Sequence, residues 1–227
     1  MAIRARSGSP RKIGWSVLLL LVAVGIRYYN EQQNPKPAPR QTPVREQIQG
    51  RSDTAKGWTI HQGCRLAPHQ HNDGDSFWVT LPDGKKREYR LYFVDTPESQ
   101  FKRYRDGKTN AERIAEQARY FQGISSEKAV ETGAEAKRFT LSLLRDTPFT
   151  VITRNEAVFD SERHYAHIEL NYEAKRQRLD EMLVQRGLAR IHTKGENLPD
   201  GTSATTHKEK LRSLEAQAKR QKLGAWQ

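Results

Sequence analysis

The sequence is poor in cysteine, because Cys64 is the only one among 227 residues. One thiol cannot form an intramolecular disulfide, so a small secreted domain held together by disulfides is excluded. A single cysteine also cannot supply the paired thiolates of a CxxC zinc site. An isolated cysteine most often serves as a small apolar residue of the interior, and we expect Cys64 to be buried.

Acidic residues are in short supply, since 27 Asp and Glu stand against 39 Lys and Arg and give a formal net charge of +12. A basic surplus points to a polyanionic partner, either nucleic acid or an anionic membrane surface. The surplus is uneven, because residues 1–56 carry ten basic and three acidic residues. Residues 57–227 therefore hold only +5 of the total, which an ordinary solvated surface also explains.

Long apolar runs are scarce, and the one that stands out covers residues 13–26. It follows four basic residues, Arg4, Arg6, Arg11 and Lys12. This pattern is typical of a secretory signal or a signal anchor. The run is shorter than the about 20 residues of a usual transmembrane helix, which favours a cleaved signal. Its small-x-small cleavage site, however, lies inside the apolar run, which argues against cleavage. Both forms stay open, and both place the rest of the chain outside the cytoplasmic membrane.

We divide the chain into a signal anchor or signal peptide (1–29), a Pro-rich polar linker (30–56) and a folded domain (57–227). Strand-like segments cover residues 76–81, 85–94, 148–154 and 163–170, and helix-like segments cover 111–121, 132–146, 179–189 and 205–226. The sequence has no internal repeat and no regular βαβ alternation. It therefore predicts a single α+β domain, which we expect to be a monomer.

Two acidic patches bracket one predicted hairpin, NDGDSFWVTLPDGKKREYRLYFVDTPES, at residues 72–99. A two-residue turn at residues 83–84 would place Asp75 opposite Tyr92. Asp95 and Glu98 would then lie at the same end of the hairpin as Asp75. Carboxylates at one rim repel each other unless a cation lies between them, and hard oxygen ligands suit Ca²⁺ or Mg²⁺. The other interpretation is that DGD and DTPE are ordinary turn sequences.

Five segments in order resemble the thermonuclease, or staphylococcal nuclease, family. They are DGDSFWV, YRLYFVDTPES, TGAEAKRF, MLVQRGLARI and LRSLEAQAKRQKLGAW. The resemblance covers roughly residues 58–227, with one interruption at about 99–131. It implies an OB-fold, a five-stranded β-barrel with three helices, to which the interruption adds a helical insertion.

The resemblance also implies a Ca²⁺-dependent phosphodiesterase that cleaves DNA and RNA without reading base sequence. Carried over to this chain, it implies Asp75, Asp95 and the Thr96 carbonyl as metal ligands. Glu98 would position or deprotonate the attacking water. The phosphate would be bound by Arg90 and Arg163, and Asp73 would lie near the metal without binding it directly.

The chain departs from the family at the nucleotide-holding rim. Ser161 and Glu162 stand where the family has Tyr-Gly, and residues 192–195 stand where it has tyrosines. Candidates to replace them are Tyr104, Tyr120, His192 and Lys194. In the insertion, Lys102, Arg103 and Tyr104 combine positive charge with an aromatic ring, which suits a single strand. A helix that merely decorates the barrel is the alternative for this segment.

These observations predict a membrane-anchored or secreted, calcium-dependent nuclease that acts on DNA and RNA outside the cytoplasm, with single strands preferred. A different class of protein stays open as the alternative, namely a catalytically weak OB module that binds single-stranded nucleic acid. The full set of Asp75, Arg90, Asp95 and Glu98 favours the enzyme.

Overall fold

A computed structural model describes residues 51–159 and 161–227. The predicted N-terminal apolar helix lies outside these residues, as does the predicted linker up to residue 50. Within the described part of the chain, no helix combines the length and the apolar character that crossing a membrane requires.

The described residues form nine strands and four α-helices. The strands are β1 (Arg51–Ala55), β2 (Trp58–Leu66), β3 (Ser76–Thr80), β4 (Lys86–Leu91), β5 (Val94–Asp95), β6 (Phe149–Thr153), β7 (His164–Tyr172), β8 (Lys175–Arg178) and β9 (Arg190–Ile191). The helices are α1 (Ala111–Tyr120), α2 (Ser126–Asp146), α3 (Leu179–Gln185) and α4 (Ala204–Arg220), and a 3₁₀ turn (Gly224–Trp226) ends the chain.

Five of these strands close into a barrel in the order β2-β3-β4-β7-β6, because β6 pairs back onto β2. Neighbours in the ring are antiparallel except β4 and β7, which are parallel. The strands β1 and β8 extend β2 and β7 outside the ring. The predicted α+β class and five-stranded barrel are confirmed, and the architecture matches an OB-fold.

The barrel interior is filled by large apolar side chains. The largest that are almost completely buried include Trp58, Phe77, Tyr89, Phe149 and Ile168. Cys64 is also fully buried, as the sequence predicted. Burial raises the pKa of its thiol to about 12, so Cys64 is a structural residue and not a reactive nucleophile.

The folded part begins earlier than residue 57, where the sequence analysis placed it. Strand β1 takes in residues 51–55, which had been assigned to the linker, and pairs along its whole length with β2. Lys56 and Gly57 form the connecting turn, both with positive φ angles (49° and 76°), as a two-residue hairpin turn requires. The polar, mostly exposed side chains of β1 gave no alternating apolar pattern.

The acidic hairpin differs by one residue from the predicted register. Ser76 pairs with Arg90, and the Leu91 N–H donates to the Asp75 carbonyl at 2.9 Å. Asp75 therefore lies opposite Leu91 instead of Tyr92. The cause is a three-residue turn at 82–84, in which Gly84 adopts a φ of +82°, in place of the expected two-residue turn.

Helix α2 begins at Ser126, before the predicted residue 132, and Ser125 caps it by accepting a hydrogen bond from the Lys128 N–H. Its side toward the acidic hairpin carries small residues. A Cβ at Gly133 would lie 2.4 Å from the carbonyl oxygens of both Pro97 and Glu98. Glycine at this position therefore allows the chain that carries Glu98 to lie directly on the helix.

We predict that Gly133→Ala destabilises the protein, although the same change inside a helix normally stabilises it by about 0.5–1 kcal/mol. The new methyl group would collide with the backbone of residues 97 and 98, at a cost of about 1–3 kcal/mol. Chemical denaturation of the wild type and the variant measures the free energy of unfolding. Glu135→Ala, an exposed change on α2, is the control and should shift stability by less than about 0.5 kcal/mol. An alanine variant at 133 more stable than the wild type would contradict the contact.

Candidate active site

The acidic rim lies where three strands of the hairpin region meet. Asp75 immediately precedes β3, Arg90 lies on β4 opposite Ser76, and Asp95 forms half of the short strand β5. The chain then turns through Thr96 and Pro97 to Glu98. The structure thus brings together most of the residues that the sequence proposed for chemistry.

Asp95 is the most completely bound of these groups. Its side chain is only 1% exposed, and it accepts hydrogen bonds from three arginines and one glutamine. The donors are Arg90 and Arg113 (2.8 Å) on Oδ1, and Arg190 (2.8 Å) and Gln117 (3.0 Å) on Oδ2. Burial opposes ionisation of Asp95, but the charges of Arg113 and Arg90 outweigh it and lower the pKa of this carboxyl.

Helix α1 of the insertion supplies two of those donors. Gln117 is fully buried, and it also donates to the Thr96 carbonyl (3.1 Å) and accepts from the Glu98 N–H (3.0 Å). Arg113 bridges Asp95 and Glu98, with its Nε 2.8 Å from Glu98 Oε1. The insertion is therefore part of the site, and the interpretation as a decorative helix is wrong.

Asp75 has a different electrostatic environment. It accepts from the Thr96 N–H (2.9 Å) and the Ser76 hydroxyl (3.1 Å), while Arg90 lies 3.5 Å from its Oδ2. Burial raises the pKa of Asp75 from 3.8 to about 6, an effect that the Arg90 charge opposes and the Asp95 charge reinforces. Burial likewise raises the pKa of Asp73. The charge at this side of the rim is thus incompletely balanced.

Glu98 is held by side chains of the insertion. Lys102 (3.3 Å) and Asn110 (3.2 Å) both donate to its Oε2, and Arg113 holds Oε1. The amide of Asn110 is itself fixed by donating to the Gln100 carbonyl and accepting from the Lys102 N–H. Glu98 is therefore oriented by a network that includes the lysine predicted to contact nucleic acid.

Two cavities adjoin this network. A cleft of about 340 Å³, called the acidic cleft after Asp73, Asp75 and Glu98, is lined equally by acidic and basic residues. The basic ones are Arg90, Lys102, Arg113 and Arg163, and Tyr104 also lines it. A second cavity of about 450 Å³ is lined by Arg90, Asp95, Arg113, Glu156, Phe159, Tyr165, His192 and Lys194 among others. Only Arg90 and Arg113 line both cavities, so their guanidinium groups form the boundary between them.

The remaining predicted residues are placed as follows. Arg163 and Tyr104 line the acidic cleft, and among the described residues Arg163 forms no ion pair. Lys194 lines the second cavity and is paired with Glu156. Arg103 is exposed and lines neither cavity. Two of the candidates for the altered rim, His192 and Lys194, thus lie at the larger cavity.

Carboxylate oxygens of the kind a hard cation binds line one side of the site, and they are not arranged as a ready metal cluster. Carboxylates of Asp73, Asp75 and Glu98 face the acidic cleft, and oxygen donors of this kind suit Ca²⁺. The carboxylate of Asp95 already accepts four N–H donors, and the Thr96 carbonyl accepts from Gln117. Among residues 51–159 and 161–227, no cluster of three His, Cys, Asp or Glu side chains is arranged for metal binding. A cation could reach Asp95 only after an arginine leaves it.

Sequence reasoning missed four residues that hold Asp95 and Glu98, namely Arg113, Gln117, Arg190 and Asn110. Arg113 and Gln117 are four residues apart, and the spacing places them on one face of the predicted helix 111–121. Arg190 is the charged residue of GLARI, and it pairs with Asp95 across β5 and β9. A search for polar residues at helical spacing in the insertion would have found the first two.

A family model described as staphylococcal nuclease homologue matches residues 88–227. The match includes Arg90, Asp95, Glu98 and Arg163, and it contains the whole insertion. Asp73 and Asp75 precede it. A search among curated proteins finds no match.

We predict that Asp75→Asn becomes more stable relative to the wild type as the pH rises from about 4 to 6. The folded-state pKa of Asp75 is raised, so the folded wild type binds its proton more tightly than the unfolded chain and loses stability as that proton leaves. A shift of this size corresponds to about 3 kcal/mol. Urea unfolding in chelator across this pH range measures the difference between the two proteins. The raised pKa would be contradicted if the free energy of unfolding of Asp75→Asn, relative to that of the wild type, stayed constant or fell as the pH rises.

Proposed function

This chain belongs to the staphylococcal nuclease homologue family, and from this membership and the geometry of the rim we propose that it hydrolyses phosphodiester bonds of DNA and RNA. The observation that carries the proposal is the meeting of Arg90 and Arg163 with Glu98 and Asp75 around one cleft. Arginine forks bind phosphate oxygens with two parallel hydrogen bonds. A carboxylate beside them can take a proton from water.

In the proposed reaction, the phosphodiester lies at the boundary of the two cavities, against Arg90 and Arg163. Glu98 orients a water molecule and accepts its proton while the water oxygen attacks phosphorus. The phosphorus–oxygen bond to the leaving sugar breaks, and that oxygen takes up a proton. Negative charge grows on the phosphoryl oxygens during the attack, and the arginines stabilise it more strongly than they stabilise the ground state.

We also propose that Ca²⁺ is the cation, as the family resemblance implies. Asp75, with Asp73 and Glu98, supplies the oxygen donors that would hold it, and Asp95 and Thr96 would join them only after releasing their present donors. A divalent cation in such a site polarises a phosphoryl oxygen and orients water. The raised pKa of Asp75 supports this placement, because a nearby cation would relieve the cost of its ionisation.

Single strands are the proposed preferred form of the substrate. Tyr104 lines the acidic cleft with half of its side chain exposed, and Lys102 lies beside it. At the second cavity, Phe159 is 85% exposed. Exposed aromatic rings next to cations stack on unpaired bases, and a duplex would hide those bases. Action outside the cytoplasmic membrane stays a prediction that rests on the sequence of residues 1–29.

We predict that purified full-length protein cleaves 5′-labelled single-stranded DNA with Ca²⁺ present, and that EGTA abolishes the cleavage. Glu98→Gln should lower kcat by about 10²–10⁴-fold, because it removes the proton acceptor. Asp75→Asn should lower activity and raise the Ca²⁺ concentration needed. The measurement is the initial rate across a Ca²⁺ titration.

The control for these changes is Glu112→Gln, which removes an exposed carboxylate from α1 and should leave the rate unchanged. Cleavage that persists fully in EGTA would reject the calcium assignment alone. Absence of cleavage with Ca²⁺, Mg²⁺ or Mn²⁺, together with retained salt-sensitive binding of DNA, would replace the enzyme by the single-strand-binding module.

Tyr104→Ala is predicted to weaken binding of single-stranded DNA by roughly 5- to 150-fold, the range that corresponds to about 1–3 kcal/mol for one stacked base. Binding of a duplex should change much less. Phe101→Ala is the matched control, since Phe101 is equally exposed but does not line the cleft. Fluorescence anisotropy with both forms of DNA measures the effect. Equal losses for the two variants would remove Tyr104 from the binding site.

A further inference from the structure

Arg113 differs from the two phosphate-binding arginines of the family resemblance because it comes from the insertion. It lies near the start of α1, and its guanidinium spans the 2.8 Å contacts to Asp95 Oδ1 and Glu98 Oε1. Those contacts use Nη2 and Nε. Among residues 51–159 and 161–227, its Nη1 has no hydrogen-bond partner. One edge of the guanidinium fork therefore stays available to a ligand.

Exposure separates Arg113 from the other arginines on Asp95. The side chains of Arg90 and Arg190 are 12% and 3% exposed, whereas that of Arg113 is 44% exposed. The contacts of Arg190 are fixed on both sides, by Asp95 and by Glu116. Arg113 is thus the most accessible member of this group to a ligand entering from solvent.

Arg113 lies beside both cavities through which the nucleic acid chain of the proposed function would run. Arg113 lines the acidic cleft and the second cavity, a property it shares only with Arg90 among the residues that line them. A phosphate that links a nucleotide in one cavity to a nucleotide in the other must pass this boundary. It would meet the two guanidinium groups there.

Arg113 can bind an anion because the carboxylates it contacts also have other positive partners. The single negative charge of Asp95 is already matched by Arg90 and Arg190, and Glu98 also has Lys102 as a partner. Gln117, one helical turn after Arg113, fixes α1 to the backbone of residues 96 and 98. The guanidinium is therefore held in place before a substrate arrives, which lowers the cost of using it.

We propose that Arg113 is a third phosphate-binding residue of the reaction, supplied by the insertion helix. This inference rests on the proposed nuclease function. Arg113 donates hydrogen bonds to a phosphoryl oxygen and stabilises the negative charge that develops there during attack. In doing so it gives up its ion pair with Glu98 Oε1, which leaves that oxygen to accept the proton of the attacking water. Arg113 thereby couples the binding of substrate to the freeing of Glu98 as the proton acceptor.

The test compares Arg113→Gln and Arg113→Lys with Arg119→Gln in the full-length protein. Arg119 is an exposed arginine on the same helix, so Arg119→Gln makes the same change in charge away from the site. Arg113→Gln should lower kcat for single-stranded DNA by about 10²–10³-fold. Lysine should restore only part of it, because it lacks the planar fork. Arg119→Gln should change kcat less than about twofold.

A second readout separates phosphate binding from a structural role. Two competitive inhibitors are compared, a dithymidine dinucleotide with one phosphodiester and its uncharged methylphosphonate analogue. The wild type should bind the charged form at least about tenfold more tightly, in line with a charge-assisted hydrogen bond. Arg113→Gln should lose most of this preference. A purely structural role would weaken both inhibitors equally and leave their ratio unchanged.

The possible outcomes distinguish this inference from the proposed function. A wild type that cleaves DNA, with Arg113→Gln equal to Arg119→Gln in rate and in inhibitor ratio, overturns the role of Arg113 and leaves the nuclease intact. A wild type that cleaves nothing overturns the proposed function, and the role of Arg113 in the reaction falls with it. A lower rate with an unchanged inhibitor ratio assigns Arg113 to the support of Asp95 and also rejects the inference.

Discussion

The buried carboxylate of Asp95 connects the parts of the molecule that form the site. Its donors come from β4, from α1 of the insertion and from β9, while Asp95 itself lies on β5. Removing a charge from water costs several kcal/mol unless close partners replace the lost hydration. Each of these elements therefore contributes a donor that makes the interior charge tolerable. The geometry of the site and the completeness of the fold depend on the same four contacts.

This dependence explains why the insertion cannot be treated as an addition to a finished barrel. The barrel strands bring only Arg90 to Asp95, and β9 brings Arg190. Without the insertion, Oδ1 of Asp95 would lose Arg113 and the Thr96 carbonyl would lose Gln117. Glu98 would lose Lys102, Asn110 and Arg113. The insertion begins directly after Glu98 and folds back, so that its side chains contact Asp95, Thr96 and Glu98. Its polar helix face is as much a part of the interior as the apolar residues of the barrel.

Structural features that depend on a local sequence pattern were predicted correctly. Features that depend on partners distant in sequence were not. The predicted helix 111–121 agrees with α1, and the predicted strands 76–81 and 163–170 agree with β3 and β7, each to within two residues. The mostly exposed strand β1 carries no such pattern, because pairing with β2 holds it in place. At the site, the order of motifs brought Asp75, Arg90, Asp95 and Glu98 together correctly. The contacts of Arg113 and Arg190 with Asp95 span 18 and 95 positions, and a local pattern does not indicate which carboxylate each arginine binds.

The two aspartates of the rim, Asp75 and Asp95, have opposite electrostatic environments. Asp95 has more positive neighbours than its charge requires and stays ionised, whereas Asp75 has one arginine at 3.5 Å and acidic neighbours that oppose its ionisation. In the proposed function, a cation would bind on the side of Asp75, and a phosphate would bind the arginines gathered on Asp95. Arg90 is the side chain that contacts both carboxylates. Both contacts are made by Nη2 of Arg90, which therefore lies between the proposed cation position and the proposed phosphate position.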